Sequence, residues 1–196
     1  MVVHRSARGT PLQAFLISLS TVAIAELGDR TQLLSLLLAT RFRKPWPIVA
    51  GVLVATIANH AVAGAIGVWF GSLLTPRRMD IIVGISMVAM ALWTLKPDKI
   101  EEGASFKQAG AFMATLVAFF VAEIGDKTQI ATVALAAAYT NLFHVVLGTT
   151  CGMMLANVPV IFLGKVFADR LPLRTIRYVA AALFIGLGIL FIVRSA

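Results

Sequence analysis

The sequence predicts an all-α polytopic membrane protein of six transmembrane helices, arranged as two inverted-topology repeats of three helices each. Three observations lead there. Hydrophobic residues make up 59% of the 196-residue chain and charged residues 13%, with a mean hydropathy of +0.90, which is more apolar surface than a soluble domain of this size can bury. The apolar residues gather into successive runs long enough to cross a bilayer, for which about 20 residues suffice. The first half of the chain is also repeated in the second.

The runs lie at residues 12–39, 46–74, 79–95, 110–138, 144–168 and 175–193. The segments between them, TRFRKPWP, TPRRMD, KPDKIEEGASFKQ, YTNLF and DRLPLRT, are short, and each carries proline, charge or a turn former. Residues 3–25 imitate a signal peptide, with basic residues, an apolar stretch and Ala23-Ile24-Ala25 as a small-residue cleavage site. Cleavage there would cut the first span in its middle, so the segment is read as a helix. A single cysteine, Cys151, allows no intrachain disulfide and no zinc-type spacing.

Residues 14–33 and 111–130, aligned at an offset of 97, are identical at 9 of 20 positions, and the same offset pairs Gly51 with Gly148, His60 with Asn157 and Gly67 with Gly164. Residues 1–95 and 110–196 therefore read as two copies of one unit around a central loop, 96–109. Three spans per copy is an odd number, so the second copy must enter the membrane from the opposite face. In that arrangement Lys and Arg number ten in the loops on one side (Arg41, Arg43, Lys44, Lys96, Lys99, Lys107, Lys165, Arg170, Arg174, Arg177) and five on the other (Arg5, Arg8, Arg77, Arg78, Arg194). The positive-inside rule then makes the central loop cytoplasmic and puts both termini outside. The net charge of +8 is accordingly read as topology, with lipid as the surrounding partner and no nucleic acid.

The repeated stretch is AELGDRTQL at 25–33 and AEIGDKTQI at 122–130. Charges at the bilayer centre cost several kcal/mol each unless they pair, meet water or hold an ion, so their recurrence at matching depth points to function. Taken as one unbroken helix, at about 100° per residue, the first span puts Glu26, Asp29 and Arg30 on one face and turns Gly28 and Thr31 away. Glu26, Asp29, Glu123 and Asp126 against Arg30 and Lys127 leave a formal charge of minus two, which one divalent cation or two protons would cancel. Carboxylates with hydroxyl and amide oxygens from Thr31, Thr128, Gln32 and Gln129 make a hard oxygen site, suited to manganese, calcium or magnesium.

Several alternatives stand beside this reading. The acids and bases could form internal ion pairs, Glu26 with Arg30 and Glu123 with Lys127, that only staple helices. Gly28 and Gly125 fit a helix broken at the midplane, which would let the threonines serve, or close helix packing. Asn59, His60 and Asn157 near the centres of the second and fifth spans are read as interhelical hydrogen-bonding groups, Pro159 as a kink, Met153 and Met154 beside Cys151 as apolar packing, and Asp98, Glu101 and Glu102 as part of a solvated linker.

The paired motifs E-L-G-D-R-T and E-I-G-D-K-T resemble the E-x-G-D-[KR]-[ST] signatures of the Gdt-type membrane proteins, also called uncharacterised protein family sixteen. The resemblance covers essentially the whole chain, and neither copy departs from the pattern. It implies a cation/proton exchanger, not an enzyme, without a prosthetic group. The implied cargo is Mn2+ or Ca2+, exported from the cytoplasm, with Glu26, Gly28, Asp29, Arg30, Thr31, Glu123, Gly125, Asp126, Lys127 and Thr128 at the motif positions. With no long N-terminal targeting extension the chain resembles a bacterial member, and the inner (plasma) membrane is expected. Two other functions compete: export of a small cationic metabolite, and intramembrane aspartyl proteolysis on an Asp from each half.

Overall fold

The computed structural model describes residues 9–95, 110–139, 141–164 and 173–194. Among them are eight helices and no strand: α1 (Pro11–Glu26), α2 (Arg30–Phe42), α3 (Pro45–Leu73), α4 (Pro76–Thr94), α5 (Ala111–Glu123), α6 (Lys127–Ala138), α7 (Leu142–Leu163) and α8 (Leu173–Arg194). Local chemistry sets their ends. Thr10 and Gln13 form a capping box ahead of Pro11, and α3 and α4 also open on proline, whose missing N–H is no loss in a first turn. The side chain of Asn141 caps α7 by accepting from His144 N, and Gly164, at φ 61°, closes that helix. Pro159 lies inside α7, which continues to Leu163.

Among the described residues two helices, α3 and α7, are each long and apolar enough to cross a membrane, and α1 with α2 makes a third if the pair, bent by 69°, is one span. The apolar runs read as single spans over 12–39 and 110–138 are each two helices, parted at 27–29 and 124–126, so of the two readings left open for Gly28 and Gly125 the broken helix is the one found. The reason is local: in each break a glycine takes a positive φ, 77° at Gly28 and 74° at Gly125, a conformation that ends a helix at little steric cost only for glycine. The central segment 96–109, with Asp98, Glu101 and Glu102, lies outside the described residues, as do 165–172.

The helices pack mainly across the two halves of the chain. The most extensive contacts are α1 along α7, α4 along α8, and α3 along α5, α6 and α7, whereas α2 touches α3 and α6 touches α7 only slightly. Missing side chains allow these approaches. A Cβ on Gly51 would meet the Thr115 Cβ at 2.8 Å and the Phe112 carbonyl at 2.9 Å; on Gly148 it would meet the Ser18 Cβ at 2.9 Å and the Phe15 carbonyl. All three residue numbers in one contact differ by 97 from those in the other. The α4–α8 crossing brings Gly84 and Gly188 together, each against the other's carbonyl oxygen.

Two apolar clusters flank this arrangement, one containing Met79, Met87, Leu135, Phe184 and Phe191, the other Val22, Ile48, Val52, Phe119 and Met153. Met153 is thus packing, as expected. Around α3 and α7, helices α1 and α6 close one half of a four-helix ring, and α2 and α5 close the other. The two broken pairs meet where those halves join.

Candidate cation site

Each half-helix junction is built the same way. The chain leaves α1 at Glu26, passes through extended Leu27 and positive-φ Gly28, and re-enters helix α2 behind Asp29, whose Oδ2 accepts the Thr31 N–H at 3.2 Å. The chain leaves α5 at Glu123, passes Ile124 and Gly125, and starts α6 behind Asp126, whose Oδ2 accepts the Thr128 N–H at 3.3 Å. Asp is a strong N-cap because its carboxylate satisfies an amide the helix leaves unpaired. Three residues on, a glutamine reaches back: Gln32 Oε1 accepts from Gly28 N at 2.8 Å and Gln129 Oε1 from Gly125 N at 2.7 Å. The amide oxygens expected among the cation ligands are instead committed to the backbone of the breaks.

The break also reverses the expected direction of the threonines. An unbroken helix would turn them away from the acids; here Thr31 Oγ1 donates to Glu26 Oε2 at 2.5 Å and Thr128 Oγ1 to Glu123 Oε2 at 3.1 Å. Restarting the helix behind a glycine resets the rotation that would have separated them.

The bases form pairs, but across the two motifs and not within each, as the ion-pair alternative would have had them. Lys127 Nζ pairs with Asp29 Oδ1, and Arg30 Nη2 pairs with Asp126 Oδ1 at 3.1 Å while donating to the Ala122 carbonyl at 2.7 Å. Each cation serves the aspartate of the other motif, since the two breaks face one another and an N-cap aspartate lies nearer the opposite base than its own. With Asp29 and Asp126 matched by Lys127 and Arg30, the formal minus two belongs to Glu26 and Glu123.

Both glutamates are fully buried, and Oε1 of each has no hydrogen-bond partner among the described residues. A buried acceptor left unmade costs about 1–3 kcal/mol, more when charged. One oxygen each from Glu26, Glu123 and Asp126 lies within 4.8 Å of the others. Oxygens on a shared Ca2+, at about 2.4 Å from it, stand at most about 5 Å apart, so these three fit around one divalent ion. Asp29, the fourth expected ligand, is not in that group. Helix ends add to the field: α1 and α5 end here in carbonyls, which attract cations, while the positive ends of α2 and α6 are covered by the capping aspartates.

Neighbouring polar residues divide. Asn59 Nδ2 donates to the Phe120 carbonyl, Gln32 Nε2 to the Ala156 carbonyl at 3.0 Å, and Ser35 Oγ to Asn157 Oδ1 at 2.7 Å. The first and third match the expectation of interhelical bonding; Ser35 had not been singled out, although its place one turn beyond Gln32, on the same face of α2, marks it. His60 is buried with neither ring nitrogen bonded among the described residues, contrary to that expectation.

The family model described as the divalent cation/proton antiporter GDT1 matches residues 14–102 and 111–196. A Vibrio cholerae protein named "Putative manganese exporter" is 53% identical over 170 residues, 86% of this chain and 85% of its own length. A GDT1-like protein of Synechocystis is 28% identical over 198 residues, covering 88% of this chain and 93% of its own. The divalent cation/proton antiporter GDT1 of Saccharomyces cerevisiae is 21% identical over 244 residues, 97% and 87% of the two chains. No solved structure matches the chain. With the family model spanning both motif-bearing halves, the chain belongs to the GDT1 family of divalent cation/proton antiporters, which are transporters and not enzymes.

Proposed function

We propose that this protein exports manganese from the bacterial cytoplasm in exchange for protons, with Glu26 and Glu123 as the exchanging pair and Asp126 as a third ligand. The observation that carries the reading is the pair of fully buried glutamates, each with one unbonded oxygen, that close with Asp126 to within 4.8 Å. Bound Mn2+ neutralises the two glutamates, and so do two protons; either load spares a bare charge at the bilayer centre. Asp29 keeps Lys127 and the α2 cap in place. The manganese assignment draws on the 53% identical relative's name, and the oxygen ligands also admit calcium as a second cargo.

In the proposed topology the six spans are α1 with α2, α3, α4, α5 with α6, α7, and α8. Residues 1–95 and 110–196 are inverted repeats, the 96–109 segment is cytoplasmic and both termini are outside, in the inner membrane. The uniform offset of 97 in the glycine contacts and in the crossed ion pairs supports the two-fold relation, and the Lys and Arg count supports the orientation. A cationic metabolite is a weaker cargo, because the side chains placed at the carboxylates are threonines, without an aromatic face for an organic cation.

Purified protein in liposomes under an imposed pH gradient tests the proposal. Mn2+ uptake and counter-movement of protons are expected in wild type and lost in Glu26→Gln and in Glu123→Gln. Mn2+ movement indifferent to the gradient, or surviving both substitutions, would sink it.

A further inference from the structure

The two halves of the α3/α7 ring differ in how many of their buried polar groups are matched, although the sequence repeat makes them equivalent. In the α2/α5 half, the buried hydroxyls of α2 and α5 are matched: Ser35 donates to Asn157, and Thr115 donates to the Ala111 carbonyl of its own helix; on α3 one hydroxyl, Thr56, one turn before His60, is buried and unpartnered among the described residues. In the α1/α6 half, the positions related by the offset of 97 are Thr132, His60 and Ser18. Thr132 donates to the Thr128 carbonyl, but His60 and Ser18 are unpartnered among the described residues. Thr21 and Thr150 join them, buried and unpartnered, where the other half has Ala118 and the exposed Leu53.

These four side chains lie along one route. Ser18 and Thr21 share the buried face of α1 that ends, through Ala25, at Glu26. Ser18 stands against Gly148 of α7, while Thr150, a half-turn round from that contact, lies one turn beyond Val146, which meets Gly64 of α3 one turn from His60. On α3, Gly64 and Gly67, one and two turns beyond His60 on the same face, lie against Ala136 and Val133 of α6, which sets His60 beside the first turns of that helix. At the carboxylates the buried Lys127–Asp29 pair ties the start of α6 to the start of α2.

We propose that Ser18, Thr21, His60 and Thr150 line the outward passage of the transporter and take up water and the hydrated divalent cation once the Lys127–Asp29 pair parts. Buried hydroxyl and imidazole groups without partners are unfavourable unless another state of the protein satisfies them. Neutral oxygen and nitrogen donors suit such a passage, because they replace part of a cation's hydration shell without holding it as carboxylates do. The assignment rests on the exchange reading for its orientation.

The test uses full-length protein carrying Cys151→Ala, with Ser18→Cys, Thr21→Cys or Thr150→Cys added singly, and Ser35→Cys and Thr115→Cys as the opposite half. A membrane-impermeant methanethiosulfonate is applied from the outer side under an inward proton gradient. Labelling at the first three positions, slowed about tenfold or more by Mn2+ as expected for a shared path, and absent at the other two, is the expected result. No labelling at any of the three, in protein that purifies and inserts as wild type does, overturns the passage. Thr21→Val and Thr150→Val give a second reading: the maximal exchange rate falls about tenfold at unchanged cytoplasmic half-saturation, and an unchanged rate counts against the proposal. Labelling in a wild-type background that moves no divalent cation would remove the exchange reading and leave the hydrated passage standing.

Discussion

The break at Gly28 and the break at Gly125 have the same backbone and the same bonds, yet different surroundings. Lys127 is 3% exposed and its partner Asp29 fully buried, whereas Arg30 is 36% exposed. Gln32 is buried and fastened to α7 as well as to its own break; Gln129 is half-buried, with the bond to Gly125 N. The motif fixes the local shape, and the neighbouring helix decides how firmly that shape is held. Lysine suits the closed side as a compact point charge, while the longer arginine can bind an aspartate and a carbonyl and still reach toward the surface.

The largest expected effect tests that contrast directly. Lys127→Met takes the Lys127 ammonium away from buried Asp29, a loss of about 3–5 kcal/mol. Arg30→Met is milder, because its partly exposed pair is screened by solvent. Denaturation of the two variants in detergent should rank them in that order; equal losses would mean that the two pairs are equivalent and the asymmetry unimportant.

The threonines sharpen the comparison at the carboxylates. Thr31 bonds Glu26 at 2.5 Å and Thr128 bonds Glu123 at 3.1 Å, and a hydrogen bond to a charged group is worth about 1.5–3 kcal/mol. Thr31→Val should therefore weaken Mn2+ binding by about tenfold or more, with Thr128→Val falling short of it. Calorimetric titration of Mn2+ would read both, and the reverse order would show that the Glu26 side is not the tighter one.

Much of this site was legible before the structure. The offset of 97, the minus-two remainder and the motif residues follow from spelling alone; the N-cap role of Asp29 and Asp126 was missed, although an aspartate placed directly after a helix-stopping glycine carries that signal. The pairing was not legible. The pairs considered as an alternative, Arg30 with Glu26 and Lys127 with Glu123, lay within one motif, because within a chain segment only near neighbours can be ranked; which aspartate meets which base depends on how two distant segments face. The glutamine bonds were not legible for a related reason: an amide three residues past a cap can point outward to a ligand or back to the preceding backbone, and the break's geometry turns the oxygens to the second. His60 and Asn157 occupy matching positions, but the bond to Asn157 comes from Ser35, and at Thr132, the matching position of α6, the hydroxyl turns to its own helix.

Anchoring at the breaks gives the next effect. Gln32→Leu removes two hydrogen bonds, to Gly28 N and the Ala156 carbonyl, and Gln129→Leu the one to Gly125 N. At about 1 kcal/mol for each bond, thermal unfolding should show Gln32→Leu losing about twice as much as its counterpart. A larger loss at Gln129 would place the firmer hinge in the second motif.

The smallest expected effect isolates backbone conformation from packing. A Cβ on Gly125 meets nothing within 4 Å, so the replacement Gly125→Ala introduces only the strain of an alanine held at φ +74°, about 1 kcal/mol. Gly148→Ala, by contrast, drives a methyl into the Phe15 carbonyl and Ser18 of α1. Stability should therefore fall less at the residue inside the motif than at one far from it, while transport does the reverse, since a straightened break at 124–126 would turn Thr128 away from Glu123. A Gly125→Ala protein with wild-type exchange would show that the half-helix junction is rigid enough to impose its own geometry without glycine.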